Sequence, residues 1–248
     1  MDKNKIYDEL YTKYSNRSLD EHKIIKILKF LDDKRFDSFL DIGCGDGCLT
    51  EVIAKKICAK NVCGIDISKE AVMTAKARGI NAVTADIDKD DFPFKGNSFD
   101  FIFCGDVIEH VFDADRLVEF VHWALKPGGR VLIVTPNLAA WHARIFLLFG
   151  YNPFTCSVSF KNHGAGKPFL LSSGNSTEHI RFFTLKALCD LFKINNFIVN
   201  KKFAFYSPTP KSLPLPIYLF VDMADRLFSI FKSFSSIIGI YAKKCDYK

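Results

Sequence analysis

The residues Leu40-Asp41-Ile42-Gly43-Cys44-Gly45-Asp46-Gly47 place three glycines in five positions, so the backbone can turn sharply and approach a ligand closely. A helix starting at Cys48 would offer free N–H groups to a carboxylate or phosphate. Dinucleotide enzymes use a similar turn, so this motif alone leaves the ligand open. Asp66 ends the next apolar run, where a carboxylate can accept hydrogen bonds from both hydroxyls of a ribose. Asp86 stands in Ala85-Asp86-Ile87 and suits an adenine amino group, with Ile67 and Ile87 as apolar neighbours of the ring. Gly47 and Asp46 also have plainer uses, in helix packing and as a helix cap.

A second group is Asp106-Val107-Ile108-Glu109-His110. On a helix, Asp106, Glu109 and His110 would share one face at i, i+3 and i+4. Two carboxylates and an imidazole are a donor set that suits a hard cation. The plainer expectation assigns no residue to a metal: Glu109 and His110 shape the site, and His110 or His179 acts as general base or as a hydrogen-bonded structural group.

The elements needed to hold these residues follow from apolar spacing. Short apolar runs at Phe36 to Ile42, Asn61 to Ile67, Ile80 to Ala85, Phe99 to Cys104 and Arg130 to Thr135 alternate with helical stripes at Cys48 to Lys60, Lys69 to Arg78 and Asp115 to Leu125. Such alternation implies a mostly parallel sheet with right-handed crossovers. An earlier stripe covers Leu19 to Leu31, within a helical lead-in at 1–35. Later come a helix over Leu138 to Phe149, a loop-rich Tyr151 to Thr177, a helix over Thr184 to Phe192 and a strand over Phe197 to Phe205. A proline-rich connector at Pro208 to Pro216, a helix over Ile217 to Phe231 and a strand over Ile237 to Ala242 close the chain, with 207–236 as an insertion before that last strand. The whole reads as one domain.

Residues 1–125 carry a net charge of −5 and residues 126–248 one of +11, so the basic half is the candidate for an anionic substrate or membrane face. The stretch Ile217 to Phe231 is too charged to span a membrane. Asp222, Asp225, Arg226 and Ser229 lie together on one side of it, and the expectation is a helix packed on the fold. Peripheral membrane contact through 217–231 is the alternative. The eight cysteines lack zinc-knuckle spacing, and Met1 to Leu10 is polar without an apolar leader. Reduced thiols in a cytoplasmic protein are expected, possible membrane contact aside.

In its ordered motifs the sequence resembles the class I S-adenosylmethionine (SAM)-dependent methyltransferases. The matching pieces are Leu40 to Gly47, Asp66, Asp86, Phe99 to Val111, and Leu125-Lys126-Pro127-Gly128-Gly129, over roughly 35–200. The resemblance implies a Rossmann-like α/β fold with a seven-stranded, mostly parallel sheet, an antiparallel last strand and helices on both faces. It implies that Asp41, Gly43 and Gly45 line the methionine moiety, Asp66 the ribose, and Asp86 the adenine, with Ile67 and Ile87 near its ring. Cys104 and Gly105 would face the sulfonium. The Asp106 to His110 stretch is similar to the Glu-x-x-Glu-His of quinone-biosynthesis O-methyltransferases and of small-RNA 3′-end 2′-O-methyltransferases, where a divalent ion holds substrate oxygens and a later His completes the site. His179 falls in a comparable place, and here Asp replaces the first Glu.

The expected reaction is O-methylation of a small-molecule, quinone-like or lipid/sugar-linked acceptor. The expected substrate lid is 137–183, contributing Trp141, His142, Arg144, His163, Lys167, His179 and Arg181. An RNA acceptor is less favoured, because the basic residues are dispersed and no RNA-binding module is recognisable. A nicotinamide oxidoreductase and a non-catalytic SAM-fold subunit are the remaining rivals.

Overall fold

The computed structural model describes residues 21–31, 35–159, 161–162, 164–168, 179–207 and 214–245. Most of the 1–35 lead-in, His163 and the bulk of the proline-rich connector therefore lie outside the described residues. Seven helices are described: α1 (Glu21–Leu28), α2 (Cys48–Ile57), α3 (Lys69–Ala77), α4 (Ala114–Ala124), α5 (Trp141–Leu148), α6 (Leu185–Ile194) and α7 (Leu215–Phe228). The strands are β1 (Ser38–Ile42), β2 (Asn61–Asp66), β3 (Asn81–Thr84), β4 (Phe99–Gly105), β5 (Leu125–Pro136), β6 (Phe197–Phe205) and β7 (Ile237–Lys244).

The seven strands form one sheet in the order β3-β2-β1-β4-β5-β7-β6. β1 pairs in parallel with both β2 and β4, and β7 runs antiparallel to both β5 and β6. The last strand thus wedges between β5 and β6, and the expected α/β fold with an antiparallel last strand is what forms. The strand order reverses between β1 and β4, and open α/β sheets bind ligands outside the carboxyl ends of such strands.

Alternation along the strands assigns side chains to two faces. Leu40, Ile42, Ile102, Cys104, Val131 and Ile133 pack with Leu117, Val121, Leu188 and Phe192 of α4 and α6. Phe39, Phe101, Phe103, Leu132 and Tyr241 face the other way, against Ile27, Ile53 and Ile57 of α1 and α2. Helices therefore cover both faces. Polar caps fix where three of them start. Ser68, Asp113 and Thr184 each accept a backbone N–H three residues on, opening α3, α4 and α6.

Boundaries differ from the sequence expectation at specific points. β5 already begins at Leu125, with Pro127-Gly128-Gly129 inside it and a register irregularity opposite Phe99/Phe101. α5 starts at Trp141, because Asn137 turns the chain first: its Oδ1 accepts the Ala139 N–H and its amide donates to the Ser233 and Ser235 carbonyls. No helix of the described residues is long and apolar enough to cross a membrane. All eight cysteines are free thiols.

Candidate functional site

The glycine turn joins β1 to α2 through positive φ at Gly43 (78°), Gly45 (52°) and Gly47 (79°), a region costly for side-chain-bearing residues. At Gly43 a Cβ would stand 2.2 Å from Val107 Cγ2, and at Gly47 it would meet Ile80 Cδ1 at 2.4 Å. At Gly45 it would meet nothing within 4 Å. Gly47 therefore serves helix packing, whereas Gly45 leaves open space beside the turn. Gly47 is the N-cap of α2, and Asp46 just before it accepts the Cys48 N–H at 3.0 Å through Oδ1.

Asp41 sits beneath this turn and is buried. Thr50 donates its hydroxyl to Asp41 Oδ2 at 2.6 Å, while Oδ1 has no hydrogen-bond partner among the described residues. Burial above all, with the Asp66 charge adding, raises the carboxyl to about 7 despite the Thr50 hydrogen bond. A buried carboxylate oxygen without a donor is an acceptor awaiting a ligand's N–H or ammonium group. Asp66 is positioned by backbone amides: Oδ2 accepts from Gly45 N at 2.8 Å and Oδ1 from Ser68 N at 2.9 Å. A carboxylate held this way at the end of β2 can also accept from a diol. Asp86 is buried too; Oδ1 accepts the Asp88 N–H, and Oδ2 pairs with Lys89 at 3.0 Å.

One cleft is lined by Gly43, Asp66, Ile67, Asp86, Ile87 and Gly105, and also by Asp106, Val107 and His110. It opens at the carboxyl ends of β1 and β4. Ile67 and Ile87 stand where the sequence expects apolar walls. The Cys104 thiol points elsewhere: it is fully buried in the core beside Ile133 and Ile240's layer, and burial pushes it well above its usual range. Only backbone at this position is near the cleft, through Gly105.

The helical face expected for Asp106, Glu109 and His110 does not form. Residues 106–110 make a turn, with Asp106 at φ 54° and its N–H bonded to Val134 O. The turn gives Asp106 a different partner from Glu109 and His110. Asp106 goes to Lys23 of α1, an ion pair and hydrogen bond linking residues 83 apart. Glu109 is buried and accepts the Thr135 hydroxyl at 2.8 Å through Oε2. Its Oε1 has no hydrogen bond among the described residues and stands 3.9 Å from His179 Nε2. Burial, then the Asp106 charge, pushes Glu109 far above the ordinary carboxylate range.

His179 reaches this cluster as expected. Its ring stands edge-on to His110 with centroids 4.7 Å apart, and its Nδ1 lies 3.1 Å from the Thr155 carbonyl. A carbonyl only accepts, so Nδ1 carries the proton and Nε2 keeps its lone pair. Burial first, then His110, lowers His179 to about 4, which leaves the ring neutral at pH 7. Donor atoms of Glu109, His110 and His179 all lie within 4.8 Å of one another, a spacing that fits a metal ion. The expected fourth donor, Asp106, is absent from that set.

The other residues of the 137–183 segment do different work. Trp141 is buried and donates to Asp225 Oδ1 at 2.7 Å. Arg181 donates to the Phe112 carbonyl, and Arg144 is exposed. His142 and Lys167 are both lowered by burial. Sequence reasoning missed Thr50, Thr135 and Lys23, whose partners lie 9, 26 and 83 residues away. No local signal in the sequence marks them.

Comparison with known proteins fits this geometry. Residues 15–201 match the family model described as a methyltransferase domain. A stretch of 106 residues is 32% identical to the ubiquinone biosynthesis O-methyltransferase of Pseudomonas aeruginosa, covering 40% of this chain and 44% of that protein. Another of 116 residues is 36% identical to phosphoethanolamine N-methyltransferase 2 of Caenorhabditis elegans, covering 45% and 26%. The chain thus matches less than half the length of these relatives. Among solved structures, a SAM-dependent methyltransferase from Thermotoga maritima aligns with TM-score 0.64 at 17% identity over 98% of this chain and 99% of that one. One from Archaeoglobus fulgidus aligns with TM-score 0.60 at 14% identity over 95% and 99%. The family match spans most of the chain and includes the glycine turn, Asp66 and Asp86, which removes the nicotinamide oxidoreductase reading: this chain belongs to the methyltransferase domain family.

Proposed function

We propose that this protein is a SAM-dependent methyltransferase that methylates an oxygen of a small-molecule or lipid-linked acceptor. The observation that carries the reading is the position of His110: it lines the cofactor cleft and also touches neutral His179. A proton-accepting imidazole pair therefore adjoins the end of the cleft where methyl transfer would occur.

The chain's residues fit the cofactor. Asp41 Oδ1 would accept from the methionine ammonium, and the open face of Gly45 leaves room for that end. Asp66 would hold the ribose diol, and Asp86 the adenine between Ile67 and Ile87. When bound, SAM supplies a methyl group already activated by the sulfonium, so the protein's main task is alignment. A hydroxyl acceptor must also lose its proton, and His179 Nε2 is the lone pair available for it. His110, whose ring touches His179, lines the cleft.

A second reading draws on Glu109 Oε1. Glu109, His110 and His179 would hold a divalent cation, which when bound would polarise an acceptor oxygen. Chelator treatment separates the two readings: activity that survives it favours the imidazole pair alone.

The first test is calorimetric titration with SAM, its demethylated product and NAD, with Asp66→Ala as control. Saturable SAM binding that Asp66→Ala abolishes, with no NAD binding, is expected; the reverse overturns the reading. Mass spectrometry of products from a panel of phenols, alcohols and amines then assigns the acceptor atom. Methylation confined to amines would sink the oxygen assignment, and SAM binding without turnover would favour a non-catalytic subunit.

A further inference from the structure

The helix near the end of the chain buries an acid and leaves a run of apolar side chains outside. Asp225 is buried and Asp222 half-buried on the side of α7 facing the protein. The opposite side turns Leu219, Phe220, Met223 and Leu227 to solvent at 57–61% exposure. The helix packs on the fold as expected, but through an edge that carries Asp225 along with Ala224 and Phe228, and Trp141 is what holds it. Its indole N–H holds Asp225 Oδ1, and its ring stacks on Phe228 with centroids 5.5 Å apart, so that edge is the docked one.

Just beyond α7, Ile230 and Phe231 are 72% and 63% exposed, and at the end of α5 Leu148 and Phe149 are 80% and 71% exposed. Single exposed apolar residues are ordinary. A set this dense on two helices joined through Trp141 is what a binding surface looks like.

Cations border it. Arg144 lies over the Phe234 ring at 4.5 Å, and Phe234 contacts both Phe228 and Phe231. Exposed Lys232, next to Phe231, donates to the Lys202 carbonyl. Acids do not balance them. Among the described residues of the basic half, Asp222 pairs with Arg226, Asp190 with Lys186, and Asp225 is buried. Exposed Leu, Phe, Ile and Met bordered by Arg144 and Lys232, in a half carrying +11, matches an anionic bilayer interface. A second copy of the chain would bring like charges together.

We propose that the face formed by α5, α7 and Ile230–Phe231 seats the protein on an anionic lipid bilayer as a peripheral contact. α5 follows β5 and α7 follows β6, two parallel strands, so both helices lie at the sheet edge where the cofactor cleft opens. Docking there places the cleft close to the membrane surface. The inference stands on this surface alone and does not depend on the acceptor.

The test is flotation of the full chain with phosphatidylcholine vesicles and with vesicles holding about 30 mol% phosphatidylglycerol, in about 0.1 M salt. Binding to the anionic vesicles is expected, reduced about tenfold or more in Leu219→Ser/Phe220→Ser and in Arg144→Glu/Lys232→Glu, with each variant folded and its SAM binding unchanged. No binding to anionic vesicles, or equal binding by wild type and both variants, overturns the proposal. So does a dimer in sedimentation that the Leu219→Ser/Phe220→Ser variant dissolves, because a second copy would then be the occupant.

Discussion

Thr50 donates its hydroxyl to one oxygen of Asp41 at 2.6 Å and leaves the other enclosed without a partner among the described residues. That asymmetry makes Asp41 a group whose charge depends on its ligand. With burial raising it from 3.8 to about 7, the carboxyl is partly protonated at neutral pH. A cationic ammonium placed on Oδ1 favours the charged form. SAM binding at pH 7 should therefore release a fraction of a proton, seen as a calorimetric enthalpy that varies with the ionisation enthalpy of the buffer. Asp41→Asn should remove the buffer dependence and weaken binding about tenfold or more. Stability follows the same shift. The folded state prefers protonated Asp41, so this contribution is complete below 3.8 and is lost as pH rises through about 7. Asp41→Asn should flatten the melting temperature over that window.

Gly43 tests whether space or backbone conformation sets the turn. Gly43→Ala adds a Cβ 2.2 Å from Val107 Cγ2 and strains a φ of 78°. A cost of about 2–4 kcal/mol is expected from clash and strain together. Pairing it with Val107→Ala removes the clash and leaves the φ strain of about 1 kcal/mol plus a small cavity. Chemical denaturation of the single and double variants measures the difference. A double variant no more stable than Gly43→Ala would assign the whole cost to the backbone.

Local features carried most of this fold. Glycine spacing located the turn, apolar runs located β1 to β5, and Asp66 and Asp86 followed as strand-end acids lining the cleft. Long-range relationships were hidden. The sequence permits Asp106, Glu109 and His110 to share a helix face, but the Asp106 N–H bonds to Val134 O and its side chain to Lys23. Those partners come from β5 and α1, which no local window contains. For α7 the periodicity was legible and its direction was not. Which side of an amphipathic helix faces inward depends on what it meets, and here Trp141 offers a donor that Asp225 accepts.

His179 makes a prediction about acid. Its ring is lowered from 6.5 to about 4, so if it is the base, the acid limb of kcat/KM should lie well below 6.5 rather than at the ordinary histidine value. His179→Asn should cut kcat by about 10²–10⁴-fold and remove that limb, with SAM affinity retained. The stability sign is opposite to that of Asp41. The folded state prefers neutral His179, so this stability is present above 6.5 and is lost as pH falls through about 4. His179→Asn should therefore melt with less acid sensitivity between those values. An acid limb unchanged in the variant would transfer the role to His110.

The orientation of α7 should depend on one hydrogen bond. Trp141→Phe keeps most of the stacking on Phe228 but deletes the N–H that Asp225 Oδ1 accepts. Asp225 is 5% exposed, and losing a donor to a buried carboxylate costs about 1.5–3 kcal/mol. Asp225→Leu alone removes the acceptor and leaves the indole N–H unpaired, a comparable loss. If the bond is what docks the polar edge, the double variant Trp141→Phe/Asp225→Leu should recover part of the sum, giving a coupling of about 1 kcal/mol or more in a double-mutant cycle. Additive losses would mean that shape, and not this bond, turns the apolar side of α7 outward.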